Sequence, residues 1–593
     1  MSGNMNGTNG ANASALSGDL YRAAGQLLFV GWNGSEVTPH MRRLIEEYHV
    51  GAIVLTAGNL ISAQHTINLI HELQVIAYHA KHSEPLLIAI DQEGGSANSL
   101  VDDELICRFP SAMGIAATGS LDLAHQTSKA TAECARACGI NLIVGPVLDT
   151  LLDTEPQTLG VRSVGDDYQE VSNFAIAAMN GINDAGLAAC GKHFPTCGTL
   201  DVFGSRSDVP VITKSLDELK SAALVPFRNA IATGRLESVL VSGCGISSSS
   251  MDIPHAFLSR RVVDGFLRHE LGFDGVVISE CLETRPLIED VGVRNGIVMA
   301  LRAGCDLVML CQSPDAQLEA IQGLALGISN GVITMSRLNE SMSRIRRMKS
   351  KCTSWQAALN PPGISALIAR KPEYSALSTY AYEQSISIFR DRDALIPISK
   401  SMQPGEELLL LTPLLMPQSA LTVSQAKAPS NKYTKTRDQN GACGGVANQI
   451  IEMANEDVFG ELGRSLARMR SAKLLHTSYT ANGVQPVHEK LIDRASTIIV
   501  VTANASQNLY QTTFAKDIQE MCQMLSVQGH RKSIIVVAVS SPYDFPFDTS
   551  IGTYVCTFDF TGNAMRALAR VLCGACVSHG SLPGSLRKRG GET

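Results

Sequence analysis

The chain has 593 residues, 45% of them apolar and 18% charged, with a formal net charge of -7. That composition excludes a disordered chain, and the length passes the roughly 250 to 300 residues at which single cores stop growing, so two or more domains are expected. A slightly acidic balance without a basic face argues against nucleic acid and acidic membranes as partners and favours a small neutral substrate.

Residues 1–18, rich in Gly, Asn and Ser, carry neither a basic nor an apolar block and read as a disordered lead-in, not a secretion signal. No stretch of about 18 apolar residues runs without charge, so no ordinary membrane span is expected. The fifteen cysteines are odd in number and scattered through apolar runs, as at Cys190, Cys244, Cys305 and Cys556. Small buried hydrophobes of this kind suit a reducing compartment, which places the protein in the cytoplasm.

From Gly25 to about Leu310, eight short apolar runs alternate with amphipathic helical patterns. They are QLLFVGW (26–32), VGAIVLT (50–56), PLLIAID (85–91), INLIVGPVLD ending at Asp149, AACGKHF (188–194), SVLVSGC (238–244), GVVISEC (275–281) and CDLVMLC (305–311). Runs nearly continuous in Val, Ile and Leu mark strands buried on both faces, and eight such units predict a (β/α)8 barrel over residues 19–351. Chemistry in that fold sits at the C-terminal strand ends, where the sequence sets Asp91 with Glu93, Asp149, Lys192 with His193, and Glu280. Asp149 reads as structural.

The Arg-rich stretch 336–351 places Leu338, Met342, Ile345 and Met348 on one helical face and reads as a packing helix, not a nucleic-acid patch. Residues 352–377, with Pro361, Pro362 and Gly363, read as a linker. Five further apolar runs, 407–415, 473–480, 496–504, 532–540 and 553–560, predict a smaller doubly wound α/β sandwich domain over 378–585. It carries no Gly-rich phosphate fingerprint, so no nucleotide site is assigned. Residues 416–445 read as a mobile insertion, and the chain after Pro583 as a frayed tail, with 586–593 outside the domain.

An acidic strand end, a Lys-His pair and no metal cluster suit glycoside chemistry, in which one carboxylate attacks or stabilises the anomeric centre and an acid protonates the leaving oxygen. Glu280, aimed by a rigid strand, fits the first role; helix capping or an ion pair with Arg285 are its structural alternatives. No cofactor or metal is called for. Cys197 and Cys281 lie near these strand ends and read as inert buried thiols, and Cys573-Gly-Ala-Cys576 as a weak redox spacing.

These residues carry a resemblance. IAIDQEGG (88–95), RFPSAMGIAATGS (108–120), GINLIVGPVLD (139–149), GVRSVGDD (160–167), GKHFP (191–195) and LGFDGVVISE (271–280) resemble, in order, the motifs of glycoside hydrolase family 3, and within it the β-N-acetylglucosaminidase branch. The resemblance runs from about residue 20 to 585 and is nearest to fungal members, whose nucleophile segment similarly reads SEC. It implies that Asp91, Arg162, Lys192 and His193 grip the hydroxyls of a terminal sugar and that Glu280 stands where the family's nucleophilic aspartate stands. The implied activity is retaining hydrolysis of terminal β-linked N-acetylglucosamine, or a similar β-sugar, from a small glycoside. A non-catalytic sugar binder, or a glycosidase or phosphorylase of a specialised metabolite, are the alternatives.

The departures are equally specific. Bacterial members read KHFPGHG followed by a DSH motif that supplies a His/Asp acid/base dyad; this chain reads KHFPTCG and then FGSRSD, with no histidine between His193 and His255. Arg206 near the dyad's place cannot shuttle protons at neutral pH. Asp208 and Asp201 are the nearby titratable candidates for the acid, beside the second-domain block with His476, His488 and Glu489 and the reading that no acid is present, and the sequence leaves these open. The DxEGG motif continues with Ser96 where the bacterial sequences have arginine. Glu for Asp at 280 moves the carboxylate outward by about 1.5 Å, a displacement large enough to matter for catalysis.

Overall fold

The computed structural model describes residues 20–152, 159–200, 209–249, 251–414, 456–470, 473–582 and 584–586. The predicted insertion at 416–445 lies outside them, as do Asp201, Arg206 and Asp208.

All eight apolar runs form strands: β1 Leu28–Val30, β2 Ala52–Leu55, β3 Leu87–Ile90, β4 Leu142–Ile143, β5 Ala188–Phe194, β6 Ser238–Val241, β7 Val276–Cys281 and β8 Leu307–Leu310. They are parallel and close in sequence order, with β1 pairing β8 as well as β2. The register is set by apolar pairs such as Ile53 with Ile88 and Val277 with Val239, buried on both sides. Helices wrap the outside: Ala63–His79, Leu121–Ala137 and Tyr168–Asp184 each begin at a Ser or Asp whose side chain accepts a first-turn amide.

The N-terminal end of the barrel is closed by the helix Met335–Cys352. Leu338, Ile345 and Met348 pack as predicted, but its cations are not simply turned to solvent. Arg337 and Arg344 reach Asp306, at 3.1 and 3.5 Å, beside Arg268 at 2.5 Å. Asp306 is fully buried, immediately before β8. Burial alone would raise its pKa, and the three guanidiniums override that and hold the carboxyl below its ordinary range.

The second domain is a six-stranded sheet. Its strands are β9 Ser387–Asp391, β10 Leu408–Pro413, β11 Leu474–Tyr479, β12 Thr497–Thr502, β13 Ser533–Ala538 and β14 Thr553–Cys556, in the order β9-β14-β13-β12-β10-β11. Five were expected. β9, antiparallel to β14, was not, because SIFRD, at a sheet edge, buries Ser387 and Arg390 and exposes Ile388 instead of forming an apolar run. The helices Glu456–Arg470 and Gly562–Cys573 cover one face, and Pro486–Arg494 and Leu509–Val527 the other, which is the doubly wound arrangement.

Between the domains, much of the stretch read as a linker is helical: Trp355–Leu359, then Gly363–Ser385, a single helix that carries Pro372 and packs Tyr374 and Leu377 onto the barrel's helices. The tail also departs from expectation. Leu582 and Leu586 are buried in the core shared with the barrel, so the chain just past Pro583 is docked, not frayed.

Candidate active site

At the C-terminal rim, the strand ends converge. Asp91 follows β3, and Glu93 sits in a hairpin of Gln92–Gly94 and Ala97–Asn98 that folds back over the mouth. Gly94 adopts a φ of +95°, and a Cβ there would lie 2.5 Å from the Pro110 carbonyl oxygen, which is why the motif reads EGG. Lys192 and His193 lie within β5. Gly191 before them lets β5 press on Leu148, whose Cδ1 would be 2.5 Å from any added Cβ.

Glu93 is the hub. It takes a two-pronged contact from Arg162, Nε to Oε2 at 2.7 Å and Nη2 to Oε1 at 2.8 Å, and a contact from Lys192 Nζ at 2.5 Å. Lys192 also reaches Asp91 Oδ1 at 2.5 Å. Burial would raise the Glu93 carboxyl, but Arg162 and Lys192 hold it well below the usual carboxylate range. Burial would likewise lower Lys192, and Asp91 with Glu93 instead keeps its ammonium above its ordinary value. The Lys192 side chain is 2% exposed and that of Asp91 50%, so the pair presents an acceptor to an incoming molecule from a fixed cationic base.

His193 is fixed by Asp149. Its Nδ1 lies 2.7 Å from Asp149 Oδ2, which also accepts the His193 amide at 3.1 Å, while Oδ1 accepts the Cys197 amide at 2.6 Å. Asp149 is therefore the anchor of the KHFPTC turn, in keeping with its structural reading, and it leaves Nε2 as the remaining polar atom of the ring. Ser163 donates to the Asp149 carbonyl at 2.7 Å, which joins the Arg162 segment to the same anchor.

Glu280 ends β7 with partial exposure. Its alternative readings do not apply: Arg285 pairs with Glu289 at 2.7 Å, and the N-cap position of the next helix is Thr284, four residues on, with no side-chain capping bond. Among the described residues no cation lies within ion-pair distance of Glu280; its Oε1 accepts only the Cys281 amide, at 3.2 Å. Burial raises the carboxyl above its usual value, against the pull of His193 and with Asp91 adding to the rise. Gly243 faces it, and a Cβ at that position would come 3.1 Å from the Glu280 Cγ, so the extra methylene of glutamate occupies space that a glycine leaves open.

The structure thus brings together Asp91, Arg162, Lys192, His193 and Glu280 and adds Glu93, which sequence reading marked only as a strand end. Its signal was its place two residues after Asp91 in IDQEGG; that it clamps Arg162, 69 residues away, required the fold. Cys197 is fully buried, and contact with the Cys311 thiol together with burial pushes Cys281 well up, which disfavours its thiolate. The second-domain block does not offer an obvious acid. His488 is buried with both ring nitrogens engaged, Nδ1 accepting the Gln485 amide at 2.9 Å and Nε2 against the Ser478 carbonyl at 3.1 Å. His476 meets Thr412 at 3.0 Å, and Glu489 is exposed at a helix start.

This geometry can be set beside known proteins. A β-hexosaminidase of Thiobacillus denitrificans is 32% identical over 298 residues, 49% of this chain and 79% of that protein. A β-N-acetylglucosaminidase/β-glucosidase of Cellulomonas fimi is 27% identical over 365 residues, of which this chain covers 62% of the relative's length. Among solved structures, a family 3 β-N-acetylglucosaminidase from Paenibacillus sp. FPU-7 superposes with a TM-score of 0.76 at 26% identity, covering 96% of this chain and 99% of that one. A fungal multi-domain family 3 β-N-acetylglucosaminidase gives a TM-score of 0.80 at 26% identity and covers 95% of this chain but 60% of that one. The profile described as Glycosyl hydrolase family 3 N terminal domain matches residues 20–348. With the closed barrel, the rim cluster and this match in agreement, the chain belongs to glycosyl hydrolase family 3.

Proposed function

We infer that the chain is a glycosidase that removes a terminal non-reducing β-linked N-acetylglucosamine from a small glycoside, with retention of configuration. The observation that carries this reading is Glu280: a partly exposed residue on a rigid strand, with no ion-pair partner among the described residues, facing a cluster of donors and acceptors already fixed in place. The hydrolase activity is that of the family, and the sugar is the one named for the relatives.

In the first step the Glu280 carboxylate attacks the anomeric carbon as the bond to the leaving oxygen breaks, and that oxygen takes up a proton. Water then cleaves the glycosyl ester and returns Glu280 to its carboxylate. Asp91 accepts from a sugar hydroxyl, Lys192 and Arg162 donate, and His193 Nε2 supplies a further contact. A preformed network of this kind lowers the cost of orienting the sugar. The proton source we propose is Asp208, on the segment after β5; it lies outside the described residues and rests on its sequence position. His488 is disfavoured by its own hydrogen bonds.

We also propose a reducing, cytoplasmic setting, supported by the environment of thiols such as Cys190 and Cys305, which burial pushes up to about 12. Among the described residues no helix is long and apolar enough to cross a membrane.

The test is turnover of p-nitrophenyl N-acetyl-β-glucosaminide and the corresponding β-glucoside, with and without phosphate, by the wild type and Glu280→Gln. Release that depends on Glu280 and prefers the acetamido sugar is expected. Release that survives the substitution sinks the nucleophile assignment, and sugar binding without release from either glycoside favours the non-catalytic reading. Asp208→Asn should slow substrates with poor leaving groups far more than nitrophenyl ones; equal slowing of both removes Asp208 as the acid.

A further inference from the structure

We propose that residues 581–582 and 584–586 are a positioning element for the sugar site, which holds the Arg162 segment in register through Asp166; this rests on the glycosidase reading above. After Gly580 bridges to Ser387 at the edge of the second domain's sheet, the chain crosses to the barrel. The Ser581 amide donates to the Ala117 carbonyl at 2.9 Å, at the end of the rim helix Ala112–Ala117. Leu582 and Leu586 are 3% and 1% exposed, so both flanks of the crossing are anchored in the core.

Between those anchors the segment grips the loop that carries Arg162. The Ser585 amide donates to Asp166 Oδ1 at 2.8 Å, and its hydroxyl donates to Asp166 Oδ2, so both carboxylate oxygens are taken. The Gly584 amide donates to Glu170 Oε2 at 3.0 Å. Gly584 sits at φ +64°, and a Cβ there would lie 1.7 Å from Asp166 Oδ1, so a larger residue would be strained and would push the carboxylate out of this contact.

Asp166 is four residues past Arg162, and the span between them is short and tied. The Leu151 amide donates to the Gly165 carbonyl at 3.0 Å, Ser163 bonds to the Asp149 carbonyl, and Val164 is buried with Ile115 and Ala116 of the rim helix. The clamp therefore has two ends. One is Asp149, which also fixes His193; the other is the second domain, acting through Ser585. Arg162 is set on Glu93 between them, and Glu93 sets Lys192. Charged groups that must meet a sugar within a fraction of an ångström depend on such outer support. The second domain then contributes to the site by bracing a binding arginine.

The test compares Ser585→Ala, Asp166→Ala and the conservative Asp166→Asn in the full chain. The first two should raise KM for the nitrophenyl N-acetylglucosaminide roughly 3- to 10-fold with kcat within about twofold, as expected for lost substrate positioning. Asp166→Asn, which keeps an acceptor, should stay near the wild type. Amide hydrogen exchange across residues 159–165 should quicken in both alanine variants. A loss of kcat that tracks lowered thermal stability at unchanged KM would show a merely structural contact and overturn the proposal, as would unchanged exchange at 159–165. If the wild type itself neither cleaves the glycoside nor binds N-acetylglucosamine by calorimetry, the functional reading fails, and the exchange measurement still decides the clamp.

Discussion

The two ends of the barrel use the same chemistry to opposite effect. At the N-terminal end, one carboxylate, Asp306, is surrounded by Arg268, Arg337 and Arg344 beneath a covering helix, with every oxygen occupied by the protein. At the C-terminal end, Asp91, Glu93, Lys192 and Arg162 also neutralise one another, but Asp91 is half open and, among the described residues, Glu280 has no cationic partner. A buried charge cluster becomes a site when its satisfaction is left incomplete toward solvent; completed, it is a clasp.

Glu280→Gln should break the upper end most severely, lowering kcat/KM by at least roughly 10³-fold, because the nucleophile is lost while the binding groups stay. Steady-state kinetics on the nitrophenyl sugar measure it, and a fall of less than tenfold would contradict the role. Glu93→Gln removes the hub and leaves Arg162 and Lys192 repelling each other. A loss of about 10²-fold in kcat/KM is expected, read in the same assay beside far-ultraviolet dichroism to confirm folding.

The lower end should answer differently. Asp306→Asn removes the carboxylate that three guanidiniums share, although Arg344 keeps Asp274 at 3.2 Å, at a cost of roughly 3–5 kcal/mol, measured by urea unfolding, with kcat/KM per folded molecule unchanged. Since the Asp306 carboxyl is held below its ordinary range, its stabilisation is complete at neutral pH and is lost as pH falls through that depressed value. A matching activity loss in the folded fraction would erase the distinction between the two ends.

The smallest effects are those of pH and stability at Glu280. Its carboxyl is raised, so the acidic limb of kcat/KM should lie above the usual carboxylate range, with activity falling as pH drops through it. The same rise means that the ionised form is disfavoured by folding. Glu280→Gln should then raise the melting temperature slightly at neutral pH and not at acid pH, which calorimetry at the two values would check.

What was legible in the sequence followed from local physics. Short continuous apolar runs rich in Val and Ile fit strands buried on both faces, so the eight barrel strands and five of the second domain's could be read directly, and polar residues at their ends marked Asp91, Lys192, His193 and Glu280. Arg162, which is on no strand, was reached through a motif resemblance. The edge strand Ser387–Asp391 was missed because an edge does not need an apolar run. Tertiary structure alone decided which charges meet. Glu93 clamps Arg162, Asp149 holds His193, Asp306 gathers three arginines, and Ser585 braces Asp166 across 419 positions of sequence. Such pairings leave no local pattern, because a carboxylate's partner is set by where closure of the barrel and docking of the second domain bring it, and one surface charge looks like another until desolvation singles it out.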